Sequence, residues 1–328
     1  MFSPPQIQEL AGGRLYLSHG PIDVVLRAWG TAEALRACYA AAARRFPHIL
    51  PELCDELAVL RTPMHEGPRA DGPVARRMLD ACRPFADVFV TPMAAVAGAV
   101  ADELLAHMTA AAPLERAFVN DGGDIAVLVA HGHVLDVGVA GEYSRGATPL
   151  LNGAIRLDAA SGIGGIATSG ARGRSFSLGI ADSVTTLARN AAAADAAATL
   201  IANAVNLDSP AIRRRPASEL DPDSDLRNLP VTVSVGPLTP AEIETALAAG
   251  MGKALDCRRR GLIGDAALML AGETRTLGAP FRAGNARAQI GGAKSLRLEA
   301  HRSGCSSCAL HLDLATKWSS PWQPSHIP

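Results

Sequence analysis

Residues 182–205 read D-S-V-T-T-L-A-R-N-A-A-A-A-D-A-A-A-T-L-I-A-N-A-V. The β-branched residues Val184, Thr185 and Thr186 predict a strand. The alanine run after them predicts a helix, because alanine has the best helix propensity. Two polar residues interrupt that apolar helix, Asp195 and Thr199. Their i, i+4 spacing puts them on one face, one turn apart. A carboxylate and a hydroxyl so placed can hold a hard cation such as Mg²⁺, which favours oxygen ligands and needs few from protein. The spacing equally suits a structural role, with an Asp near a helix start and a Thr bonding back to a carbonyl.

Upstream, residues 161–174 read S-G-I-G-G-I-A-T-S-G-A-R-G-R. Gly162, Gly164 and Ala167 fit G-x-G-x-x-A, but no helix is expected next and no acidic residue sits where a ribose would need it. A dinucleotide fingerprint is therefore rejected. What remains is a Gly/Thr/Ser loop followed by Arg172 and Arg174. Such a loop can present amides and guanidinium groups to phosphate; a plain exposed loop fits as well. Further upstream, residues 117–120, 125–130 and 134–139 are strand-like, the last two joined as a hairpin across Gly132-His133. Asn120-Asp121-Gly122-Gly123-Asp124 forms a tight turn between strands, where paired glycines allow positive φ and close ligand approach.

Towards the N-terminus, residues 15–28 predict a hairpin around His19-Gly20-Pro21. Residues 31–45 predict an amphipathic helix capped by Thr31 and ended by Pro47, and residues 49–61 a second helix. Residues 62–72 read as a loop, 87–91 as a strand and 93–112 as a helix containing Gly98. Towards the C-terminus, residues 208–228, with Arg213-Arg214-Arg215, read as a polar surface loop. Thr239-Pro240-Ala241-Glu242 is a capping box opening a helix to about Arg259. Residues 266–270 and 273–277 predict a hairpin across Ala271-Gly272. The organisation expected is one domain over residues 1–283 and a partly unordered tail over 284–328.

Bulk properties narrow the function. Charged residues make up 19% and the net charge is −1, so no basic surface for nucleic acid is expected. Aromatics are 4%, too few for base-stacking platforms. The apolar stretch 88–100 falls short of the roughly 20 residues of a membrane span, and residues 1–10 lack a secretory pattern. A cytoplasmic protein is expected, its apolar strands permitting a homodimer. Cys305 and Cys308 form one C-x-x-C, with His301 and His311 nearby, but nothing else supports a zinc or redox site.

Three motifs in order, V-N-D-G-G-D-I, A-T-S-G and A-D-A-A-A-T, resemble the ApbE family of flavin transferases, which use FAD to attach FMN to a threonine of a target protein. V-A-G-A-V-A-D at 96–102 is similar to that family's Ala-Lys-Gly…Asp helix. The resemblance covers roughly residues 85–206. In a compact branch of the family it extends to H-G-P-I-D and to the Thr239 helix. It implies an α+β fold of the T-fold type, with antiparallel sheets backed by helices. It implies Mg²⁺ on Asp195 and Thr199, and a flavin nucleotide (FAD or FMN) lined by Thr168, Ser169 and Gly170, with Asn120, Gly122, Gly123 and Asp124 as a wall. Gly98 and Asp102 would sit on the helix facing the site. Arg174 joins the cofactor-binding candidates, and Arg172 and Asp182 are the candidate catalytic residues. The implied partners are a flavin or other heterocyclic nucleotide-like molecule and a protein acceptor.

Two departures qualify the expected activity. Ala97 stands where the transferases carry a Lys, and Gly179 where they carry the His of His-x-x-Asp-Pro-x-Thr-Gly, with Asp182 at the Asp and Ser183 at the Pro. Losing a positive charge and a proton-transfer group weakens phosphoryl chemistry. A heterocyclic cofactor-biosynthesis enzyme, such as one acting on a pterin, and a non-catalytic flavin-binding protein remain open beside a flavin transferase.

Overall fold

Alternating burial marks the first strands. In β2 (Arg14–His19) and β3 (Ile22–Trp29), one side chain in two is buried against helices and the next is half-buried. The structure is a computed structural model and describes residues 3–142, 150–173, 175–278 and 282–283. β1 (Gln6–Leu10) precedes this hairpin and pairs with β2 alone. Then come α1 (Ala32–Asp55), α2 (Leu57–Leu60), α3 (Pro73–Cys82) and α4 (Val96–Ala111). β4 (Arg116–Asp121), β5 (Asp124–Val129), β6 (Val134–Glu142), β7 (Leu150–Asp158), β8 (Gly165–Ser169) and β9 (Ser183–Ala188) lead into α5 (Ala191–Ala204). The remainder is β10 (Ile212–Pro216), α6 (Ala217–Leu220), β11 (Pro230–Val235), α7 (Pro240–Arg259), β12 (Asp265–Leu270), β13 (Glu273–Leu277) and β14 (Arg282–Ala283).

The fold is α+β. Nine antiparallel strands run in the order β1-β2-β3-β4-β5-β8-β9-β12-β13. On one face, α1 lies over β2 and β3, α4 over β4 and β5, α5 over β8 and β9, and α7 over β12 and β13. The other face of the sheet carries Phe118, Ile125, Val127, Ile166 and Leu187. These meet Leu135, Val137, Ile155 and Leu157 of the small β6–β7–β14 sheet in a second apolar layer.

The strand-then-helix reading of residues 182–205 holds, as do the capping box at Thr239 and the β12–β13 hairpin. Other expectations need correction. Residues 31–61 do not break at Pro47, because α1 runs 24 residues through Pro47 and Pro51. Neither proline is buried, while Phe46, Ile49, Leu50 and Leu53 are. Apolar burial on one side holds the helix together, and the lost amide bonds fall on the side nearer water. Residues 87–91 form no strand. β5 and β6 are not a hairpin: β5 pairs with β4 and β8, whereas β6 pairs with β7 in the other sheet. The presumed loop 161–174 contains β8, and 208–228 contains β10 and α6. β8 is laddered between β5 and β9, and β10 pairs with β11. Arg174, the tail from 284 and the Cys305–Cys308 pair lie outside the described residues.

Candidate functional site

One end of the large sheet gathers the candidate residues. The pairings Val24↔Asp121, Asp121↔Asp124, Ser169↔Val184 and Met269↔Ser183 align four features there. These are the His19–Ile22 turn, the Asn120–Asp124 turn, the Thr168–Gly170 segment leaving β8, and Asp182 entering β9. Between Asp121 and Asp124 the turn has two residues, Gly122 at φ 65° and Gly123 at φ 117°. Positive φ at both is what a tight hairpin needs to match the strand twist. Asn120 closes it, its Oδ1 accepting from the Gly123 amide at 2.9 Å.

Helices α4 and α5 cap one another. Asp102 of α4 accepts from the amides of Ala191 and Ala192, both at 2.9 Å, while Asn190 accepts from Ala193 at 2.8 Å. Three orphan donors of the first turn of α5 are thereby satisfied. In return, Asp195 Oδ2 accepts from the Gly98 amide in the first turn of α4, at 3.0 Å. The exchange demands close approach: a Cβ on Gly98 would lie 2.3 Å from the Ala191 carbonyl oxygen. The dipole argument raised for Asp195 therefore applies, but to the N-terminus of the neighbouring helix.

This geometry brings Asp195 to Asp124. Asp124 lies on the helix-facing side of β5, its Oδ1 accepting from the Thr168 amide at 3.2 Å. Burial pushes the Asp124 carboxyl well up, and the charge of Asp121 adds to it. Burial also pushes Asp195 up, followed by the charges of Asp124 and Asp102, against the Gly98 hydrogen bond. Burial raises the Cys82 thiol as well, with a contribution from the charge of Asp195. The Thr168 hydroxyl meets that of Thr185 at 2.9 Å. Thr199 lies one turn beyond Asp195, half-buried, and Ser169 is half-buried at the end of β8.

Arg172 and Asp182 also come together. Arg172 Nε donates to Asp182 Oδ1, while Asp182 Oδ2 accepts from the Ala271 amide at 2.6 Å. Asp182 thus ties the segment after β8 to the β12–β13 turn. Its side chain is 18% exposed and that of Arg172 59%, so the guanidinium faces water.

Hard oxygen donors fit a divalent cation here. The charge of Asp124 raises the proton affinity of Asp195, as that of Asp121 raises Asp124, and a cation beside them would relieve that repulsion. Among the described residues no group of three or more His, Cys, Asp or Glu is disposed to hold a metal. An ion would therefore fill its shell from hydroxyls, water and phosphate oxygens, a pattern that suits Mg²⁺. The sequence reading missed Asp121 and the pairing of Asp124 with Asp195. The signal for the first was a two-glycine hairpin, which sets its flanking residues opposite each other.

The family described as AbpE bacteria matches residues 7–276. The chain belongs to that family. The motif resemblance is thereby borne out. A UPF0280 protein of Methanothrix thermoacetophila is 39% identical over 123 residues, 37% of this chain and 48% of that protein. A UPF0280 protein of Methanopyrus kandleri is 36% identical over 121 residues, 37% of this chain and 44% of that protein. The chain spans about half the length of the curated relatives it matches. Two solved structures overlay loosely. The ApbE protein of Thermotoga maritima gives a TM-score of 0.42 at 14% identity, covering 84% of this chain and 96% of that one. The apo flavinyl transferase ApbE of Pseudomonas stutzeri gives 0.36 at 11%, covering 83% and 94%. Neither overlay is close enough to transfer a residue or an activity.

Proposed function

We propose that this AbpE-family protein is a Mg²⁺-dependent flavin-nucleotide enzyme, cleaving FAD at its pyrophosphate and passing FMN to a protein hydroxyl. The observation that carries the reading is the pair of half-buried carboxylates on the helix side of the sheet, Asp124 accepting from the Thr168 amide at 3.2 Å and Asp195 from the Gly98 amide at 3.0 Å. Family membership and the three motifs support it. Asp195, Asp124 and Thr199 would hold the metal. Bound there, Mg²⁺ would polarise a phosphoryl oxygen.

The chain's own groups do the rest. The Gly122–Gly123 turn lets a ligand approach the backbone without a Cβ in the way. Arg172, held through Nε by Asp182 and 59% exposed, can turn its outer nitrogens to phosphate charge. Asp182 is a positioning residue in this scheme, since both its oxygens are engaged. The test is AMP release from FAD with Mg²⁺ present, together with mass spectrometry of a threonine-bearing acceptor peptide. Release in wild type and its loss in Asp195→Asn are expected. A wild type that binds FAD but never yields AMP overturns the transferase reading.

One observation favours a second reading. A Cβ on Gly179 would fall 2.0 Å from the Ala202 carbonyl oxygen. The position aligned with the transferase His thus has no room for any side chain. The same site would then bind a flavin, a pterin or a related heterocycle without transferring it. Retention of unmodified ligand through repeated turnover assays distinguishes this reading.

A further inference from the structure

We propose that the outer edge of β1 is a self-complementary interface, and that a second copy of this chain adds its own β1 to the sheet there. β1 ends the nine-stranded sheet, pairing with β2 on one side and with no described strand on the other. Four of its five residues are exposed and none is buried, so neither face of the strand is covered. Ile7 is 46% exposed, among the most exposed large apolar side chains described. An edge strand with bare amide and carbonyl groups on its outer side is a template for another strand.

A groove of about 580 Å³ runs alongside, between this edge and α1. Ile7, Glu9, Leu15, Leu35, Arg36 and Tyr39 line it. Glu9 and Arg36 make no ion pair among the described residues. The groove therefore offers an apolar floor, one unpaired carboxylate and one unpaired guanidinium. A two-fold relation can set the carboxylate of each copy against the guanidinium of the other. Antiparallel pairing of all five residues puts Gln8 on the two-fold axis. Ile7 of one copy then faces Glu9 of the other, on the side of the sheet that carries α1. Each Ile7 is covered, and each Glu9 is carried towards the groove containing the other copy's Arg36.

The experiment is sedimentation equilibrium of the full chain across a concentration series. A particle of twice 33.9 kDa is expected for wild type. Ile7→Glu, which sets a carboxylate opposite the other copy's Glu9, is expected to raise the dimer dissociation constant by at least about tenfold. Glu9→Arg should weaken the dimer similarly, and adding Arg36→Glu should recover most of the loss. These side chains are exposed, and circular dichroism checks that each variant folds. A monomeric wild type overturns the proposal. A dimer indifferent to Ile7→Glu and Glu9→Arg overturns the location.

Discussion

Gly98 and Asp195 act as a pair, and their substitutions separate packing from charge. Gly98→Ala drives a methyl group into the Ala191 carbonyl, and overpacking of this kind costs about 1–3 kcal/mol. Urea denaturation should show that loss; unchanged stability would mean that the two helices part easily. Asp195→Asn leaves an oxygen able to accept from the Gly98 amide but removes a carboxyl whose charged form is disfavoured by desolvation and by the charges of Asp124 and Asp102. Its stability should therefore equal or exceed that of the metal-free wild type, while its affinity for Mn²⁺, used as a paramagnetic stand-in for Mg²⁺, falls by at least about tenfold. Asp124→Asn should likewise weaken Mn²⁺ binding, since its charge bears on the same place. Wild-type affinity in both variants, read by water-proton relaxation, would show that neither carboxylate touches an ion.

At the scale of elements, Asp102 governs α5. Asp102→Ala strips the Ala191 and Ala192 amides of their acceptor, and a hydrogen bond to a charged group is worth about 1.5–3 kcal/mol. Faster hydrogen exchange should appear in the first turn of α5; unchanged protection there would argue against the cap. A second device joins α1, α3 and α4. Glu103, buried on α4, accepts from Arg45 at 2.8 Å and from Arg77 at 3.1 Å. Burial pushes its carboxyl up, but the hydrogen bonds and charges of the two arginines outweigh burial and leave it lower than usual. A lowered carboxyl stabilises the fold above the unfolded value near about pH 4.3, and this stability is lost as pH falls through the folded value. Glu103→Gln should thus be less stable at neutral pH and show a flatter acid limb in its unfolding profile. An identical acid slope would remove Glu103 from that role. The elements readable in the sequence were those fixed locally: the alanine helix α5, the capping box of α7 and the turns at Gly122-Gly123 and Ala271-Gly272, though the hairpin expected across Gly132-His133 does not form. Those misread were fixed by distant partners. β8 has five residues in a glycine-rich run and becomes a strand because β5 and β9 flank it, and α1 outlasts two prolines because its opposite face is buried.

The whole molecule is a wide antiparallel sheet that brings distant motifs to one end while helices seal one face. The candidates named from the sequence, Asn120, Asp124, Thr168, Asp182 and Asp195, lie at that one end. Sequence could not supply the pairing of Asp195 with the turn of another helix, which depends on how α4 crosses α5. Among the described residues no helix is long and apolar enough to cross a membrane. The most direct test of the central claim is FAD binding, followed by flavin fluorescence, in wild type and Asp195→Asn with and without Mg²⁺. Binding that Mg²⁺ strengthens by at least about tenfold in wild type, and leaves unchanged in Asp195→Asn, is the predicted result. Equal Mg²⁺ enhancement in both proteins, or no FAD binding by either, would contradict it.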